Sequence, residues 1–329
     1  AHFNKTTFFR GVEFEKDSDF SSCNFRSKIL FDETRFNGPA RFIGSNFFSR
    51  AWFTKVQFND EAKFDFSRFD DDSSFFQALF RGESLFRGTH FLKSINFGEA
   101  QFRGKAYFDN VAFEGDFSLE EAQFEEDVLI RDSRISGDIL LNDTRLNVIH
   151  FANNEYEPMS KIVLNGSRFL NLKAYWSSIR DNLVFNTEVF NDLIRNYNDL
   201  GWFNDADSCY YDLRNNLRNS SRGFSKIADY FSLFIWGYGV KPSYPLIISL
   251  FFIFIFGLYF WGAKSLRKKG IRRISFIEAL YYSAFLFIAQ SPTEFEVLRR
   301  SARVAILIEG ILGWALLAIF FGTVGHVMR

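Results

Sequence analysis

Residues 31–64 read FDETRFNGPARFIGSNFFSRAWFTKVQFNDEAKF, and apart from Phe48 their phenylalanines fall at 31, 36, 42, 47, 53, 58 and 64, with gaps that alternate between five and six. The beat runs in both directions. Phe31, Phe42, Phe53, Phe64, Phe75, Phe86, Phe97 and Phe108 stand eleven apart and pass into Leu119, Ile130 and Leu141, while a second series runs from Phe25 to Phe124 and on into Ile135 and Leu146. Two residues before these positions stands a small or β-branched one, among them Thr34, Ala40, Ser45, Ala51 and Val56. One large and one small inward side chain per five or six residues describe a coil with four short sides. Such a coil takes 22 residues, so 150 residues wind about seven coils, a rod about 30 Å long at ~4.8 Å per rung.

These residues resemble the pentapeptide-repeat family, and the resemblance covers nearly half the chain. It implies a right-handed quadrilateral parallel β-helix with stacked Phe or Leu inside, used as a rigid spacer or an assembly domain. Relatives that mimic DNA and bind topoisomerases do so through an acidic outer face. This region is mildly acidic, with Asp70, Asp71 and Asp72 consecutive, but the apolar segments downstream direct the reading elsewhere, so no nucleic-acid partner is expected. Cys23 occupies a small inward position and reads as core. His2, His90 and His150 have no metal-ligand spacing with the cysteines. With no phosphate loop, nucleophile elbow or paired catalytic carboxylates, the expectation is a non-enzymatic chain without a cofactor.

The last third has a different pattern. Residues 245–262 carry no charge and would make about 27 Å of helix, enough to span a hydrocarbon core. Residues 304–328 form a second long apolar run with small residues at Gly310, Gly313, Ala318, Gly322 and Gly325. Between them residues 276–290 are too short to span and suit a re-entrant helix. Irregular backbone at membrane depth must be covered by protein or line water, so a two-span chain of this kind implies an oligomer.

EALYYSAFLFIAQSP, followed by AILIEGILGWALLAIFFGTVGHVM, resembles the pore module of two-transmembrane channels related to potassium channels. The resemblance implies a homo-oligomer, a tetramer by family default with a pentamer as the alternative. Its filter would fall on Gln290, Ser291, Pro292, Thr293 and Glu294, where AQSPTEF replaces the family's glycine-rich sequence. Potassium selectivity is therefore not expected. Gly237, Tyr238 and Gly239 precede the first span and are followed by Pro242 and Pro245, which marks a turn rather than a filter.

The formal charge is zero, but it divides unevenly: residues 222–329 hold thirteen Lys and Arg against five Asp and Glu. Lys268, Lys269, Arg272 and Arg273 in the connector between the first span and the short helix, with Arg299, Arg300 and Arg303 before the second span, would surround one mouth with positive charge. That favours anions, chloride first. A cation or non-selective channel, with Glu294 as the cation site, is the alternative; a third reading is a non-conducting membrane scaffold that presents the β-helix. Glu309 would face a cavity or pair with Arg303, and Glu309, Gly310 and Gly313 are the gating candidates. Basic loops also bind anionic lipids and tend to lie in the cytoplasm. Two cysteines and no secretory signal in the large N-terminal region argue instead for a cytoplasmic N-terminus and an external basic mouth.

Beyond Pro158 the eleven-residue beat stops, and residues 186–219 take helical spacing at Val189, Leu193, Ile194, Tyr197, Cys209, Tyr210, Leu213 and Leu217. Leu200, Gly201, Phe203, Ala206 and Tyr210 resemble one tetratricopeptide-type hairpin. Asp199, Asp205, Asp207 and Asp212 near its turn are the candidates for a regulatory Ca²⁺, although their spacing matches no EF-hand loop and helix capping suits them better. Residues 225–236 read as an amphipathic helix at a membrane surface.

The expected organisation is a multidomain, multi-pass cell-membrane protein. A pentapeptide-repeat β-helix covers 1–157, a helical connector 158–223, an interfacial helix and turn 224–243, and a two-span α-helical pore module 244–329. Its expected function is an oligomeric ion channel subunit gated by a ligand through its soluble region, with lipids and permeant inorganic ions as partners.

Overall fold

The computed structural model describes residues 1–220, 222–268, 274–288, 290 and 292–327. Two compact units emerge, Ala1–Cys209 and Tyr210–Arg329, with the boundary inside one helix.

The first unit is a parallel β-solenoid built mostly from two-residue strands. Each strand pairs with the fourth one along the chain, which is what four sides per coil require, and the register offset is 22 residues, as in His2↔Asn24, Ala51↔Ser73 and Gln123↔Arg145. The eleven-residue series divides accordingly into stacks: Phe42 lies 4.8 Å from Phe64 with rings 1° apart, and Phe64 lies 5.0 Å from Phe86. Neighbouring stacks meet edge to face, as Phe53 and Phe64 do at 5.5 Å and 88°. Both are favoured aromatic geometries, so phenylalanine can fill every large inward position of the middle coils.

The small inward positions carry hydroxyls that cannot stay unpartnered in such a core. Thr34, Ser67, Thr89 and Thr144 each donate to a carbonyl of the coil below, at Phe9, Phe42, Phe64 and Leu119. Every eleventh residue from Gly11 to Asp143 adopts a left-handed conformation, with φ between 52° and 67°. These close β-turns such as Thr34 N–H to Phe31 O, at 3.0 Å. Most are not glycine, so the turns leave no glycine period in the sequence.

The solenoid continues past Pro158, through the strands Ile162–Val163 and Arg168–Lys173. The offset shortens to 21 at Val128↔Ile149 and Arg134↔Glu155 and then lengthens to 23 at Ile139↔Ile162 and Arg145↔Arg168, which is why the sequence beat breaks although Ile162, Leu164 and Leu172 still point inward. A four-residue helix α1 (Trp176–Ile179) and the helix α2 (Thr187–Asp199) follow. Asn196 of α2 accepts from Leu172 N–H at 2.9 Å and donates to Leu172 O at 2.8 Å, satisfying the edge of the last strand. Trp176 and Phe190 pack edge to face beneath it.

The helix α3 (Phe203–Ser220) carries the unit boundary. The second unit adds α4 (Phe224–Trp236), a 3₁₀ turn at Gly237–Gly239, α5 (Ser243–Gly262), α6 (Phe276–Phe287) and α7 (Arg300–Val327). A short antiparallel ribbon pairs Leu266–Lys268 with Phe295–Val297. Its core gathers Phe260, Tyr282, Leu286, Phe295 and Ala302.

Candidate functional site

The ribbon sets the geometry. Leu266–Lys268 follows the end of α5 and Phe295–Val297 leads into α7, so pairing them holds the end of one long helix beside the start of the other. Ser275 caps α6 with a reciprocal capping box to Glu278, which fixes where that helix begins. Lys268 of the ribbon lies 3.5 Å from Glu278 in the first turn of α6.

At its other end α6 abuts α7. A Cβ placed on Gly313 would lie 2.1 Å from Phe287 O, so only glycine permits this approach. Gly313 is roughly 20 Å along α7 from Arg300 at about 1.5 Å per residue. From Phe287 the chain returns within eight residues to Phe295, which is paired across the ribbon with Lys268. Gly310, by contrast, faces open space. Gly313 is thus a packing contact.

Glu309 is fully buried, and its partner is not Arg303. It forms a short hydrogen bond with Ser283 Oγ of α6, while Arg303 is exposed. Ser283 also lies 2.9 Å from Ile253 O of α5, so all three helices meet at one polar point. The expected pairing of Glu309 with Arg303 fails because both lie on α7 but on different faces: Glu309 shares the buried face with Ala302 and Gly313, and Arg303 shares the exposed face with Val304, Leu307 and Ile311.

Of the residues expected at the filter, Gln290, Thr293 and Glu294 are exposed and Pro292 is half-buried. Pro292 O accepts from Phe295 N–H at 3.4 Å, closing a turn into the ribbon. Ser291 lies outside the described residues, as do Lys269, Arg272 and Arg273. The described charges sort into two groups. Glu296 pairs with Arg267 at 2.7 Å and Glu294 with Lys268 at 3.4 Å. The bond to Glu294 holds the Lys268 ammonium above the ordinary lysine range, with Glu278 adding to it. Arg299, Arg300 and Arg303 are exposed and form no ion pair among the described residues.

Sequence reasoning missed Ser283 and the ribbon, for which no motif gives a signal. Tyr238, in the triplet set aside as a turn, is buried with φ 59°, accepts a hydrogen bond from Arg218 at 2.8 Å and has Arg214 over its ring. The four aspartates near the hairpin are not gathered: among the described residues no group of three or more His, Cys, Asp or Glu side chains is placed to hold a metal. Asp205 accepts from Trp176 N–H at 2.7 Å.

Two helices, Ser243–Gly262 and the Arg300–Gly325 portion of α7, are long and apolar enough to cross a membrane. The family model for pentapeptide repeats matches residues 20–68 and 97–145, in nine copies. The N-terminal unit therefore carries pentapeptide repeats wound as a parallel β-solenoid. No curated protein and no solved structure matches the chain.

Proposed function

We propose that this chain is a non-enzymatic subunit of an oligomeric channel in the cell membrane, with α5 and α7 as spans, α6 as a re-entrant helix, and the repeat region in the cytoplasm. The observation that carries the reading is the excursion of α6. It begins beside the ribbon at Glu278 and Lys268, reaches Gly313 deep along α7, and returns to the ribbon at Phe295. Backbone that enters and leaves on one side must be covered by protein or line water, which further copies of the chain would supply.

Anion conduction is favoured by the charge pairing at this end. Glu294 and Glu296 each have a cationic partner, while Arg299, Arg300 and Arg303 have none among the described residues. An unneutralised basic rim repeated around an oligomer concentrates anions. Purified protein in a planar bilayer under a KCl gradient should reverse near the chloride equilibrium potential, and Glu at Arg299, Arg300 and Arg303 should move that potential toward potassium. Reversal near potassium in the wild type overturns the anion assignment; electrical silence overturns the channel.

A further inference from the structure

The solenoid changes its coil at one place, and a cavity opens there. The strand Arg145–Ala152 pairs on one side with both Gln123–Phe124 and Val128–Arg131, and on the other with Arg168–Lys173. The coil below still turns a corner between Phe124 and Val128, whereas this strand runs on without one. The cavity at this transition measures about 450 Å³. Phe169 and the exposed Leu170 give it an apolar side, the inward Phe124 and Leu146 lie beneath it, and Arg145, Asn147 and Arg168 complete it.

Arg145 and Arg168 are register partners on adjacent parallel strands, about 4.8 Å apart. Like charges directly opposite each other repel. Several other arginines of the solenoid pair with acids of a neighbouring coil: Arg131 with Asp109 at 2.8 Å, Arg134 with Glu157 at 2.9 Å, Arg103 with Glu125 at 3.7 Å. Arg145 and Arg168 form no ion pair among the described residues, although both border the cavity. The pair thus offers two adjacent guanidinium forks beside an apolar wall, a combination complementary to a ligand with two negative charges and an apolar body.

We propose that this cavity binds an organic phosphate monoester, its phosphate held by Arg145 and Arg168 and its organic part against Phe169 and Leu170. A phosphate monoester carries about −1.5 to −2 charges at neutral pH and three acceptor oxygens, enough to engage two bidentate guanidinium forks. A carboxylate would leave one arginine uncompensated, and inorganic phosphate would leave the apolar wall unused.

Isothermal titration of the full chain in detergent tests this with phenyl phosphate as the probe and benzoate and inorganic phosphate as comparators. Phenyl phosphate should bind saturably, at least tenfold tighter than either comparator, and Arg145→Ala and Arg168→Ala should each weaken it tenfold or more. Arg168→Lys should weaken it several-fold, because an ammonium cannot make the fork, and that variant carries the test if Arg168→Ala does not fold. No binding of phenyl phosphate, or binding unchanged in the arginine variants, overturns the site; equal affinity for inorganic phosphate overturns the apolar subsite. Conduction does not enter the readout, so the site and the channel reading stand or fall separately.

Discussion

The two units differ in what they leave exposed. Inside the solenoid lie stacked phenylalanines, with Phe36, Phe42, Phe53 and Phe64 wholly excluded from solvent and charged side chains outside. The helical unit buries a core around Phe260, Tyr282 and Leu286 together with Ser249, Ser283, Glu309 and Thr323, but many apolar side chains face out, among them Leu246, Phe251 and Phe254 on α5 and Leu307, Ile311 and Trp314 on α7. The difference lies at the surface, where the two long helices carry an apolar face. Its buried hydroxyls find partners within the protein: Ser283 meets Glu309 and Ile253 O across three helices, while Ser249 donates to Pro245 O and Thr323 to Phe320 O on their own helices.

That contrast can be broken most directly by removing one aromatic ring from each unit. Phe64→Ala should cost about 3–5 kcal/mol, because its ring lies between Phe42 and Phe86 and nothing can collapse into the gap. Phe251→Ala on the exposed face of α5 should change stability in detergent by no more than about 0.5 kcal/mol. Denaturant titrations of both variants decide it, and equal costs would end the comparison.

A smaller effect sharpens the account of the helical unit. Gly313→Ala should destabilise it by about 1–3 kcal/mol, since the new methyl group meets Phe287 O. Gly310→Ala, three residues away in open space, should be neutral or stabilise by roughly 0.5–1 kcal/mol through helix propensity. Thermal unfolding in detergent distinguishes them, and identical shifts would remove Gly313 as the contact that seats α6.

The smallest expected effect concerns the solenoid's response to acid. Burial and the neighbouring Lys173 hold the His150 imidazole below the usual histidine range, partly opposed by Asp127 at 3.6 Å. The unfolded chain therefore takes up its proton at a higher pH than the folded one. The resulting stability is present above the ordinary histidine value and is lost as pH falls through it toward the lower folded value. The melting temperature should decline between pH 7.5 and 5.5, and His150→Gln should flatten that decline.

Much of the solenoid was legible because its inward residues repeat at the coil length: Phe42, Phe64 and Phe86 announce their stack by standing 22 apart. What stayed hidden was whatever left no period. The left-handed turns at Ser22, Glu33, Lys55 and Gln77 use residues that ordinarily avoid positive φ, so composition does not mark them. The coils beyond Pro158 were missed because a 23-residue step breaks the beat while leaving the inward pattern intact. In the helical unit the two long apolar helices were visible from hydropathy, whereas the partner of Glu309 was sought on its own helix and lies on another.

The amino-acid sequence by itself determined the four-sided coil, its aromatic filling and the two long apolar helices, because each depends on a spacing or a run that can be counted along the chain. Only the tertiary structure decided that Leu266–Lys268 pairs with Phe295–Val297, that Ser283 meets Glu309, that Phe287 rests on Gly313, and that Arg145 and Arg168 share a cavity. The first three join segments at separations no repeat prescribes, set by how close two backbones can come and which buried polar atoms find partners. The fourth arises where the repeat itself fails, and a lengthened coil places two like charges opposite each other.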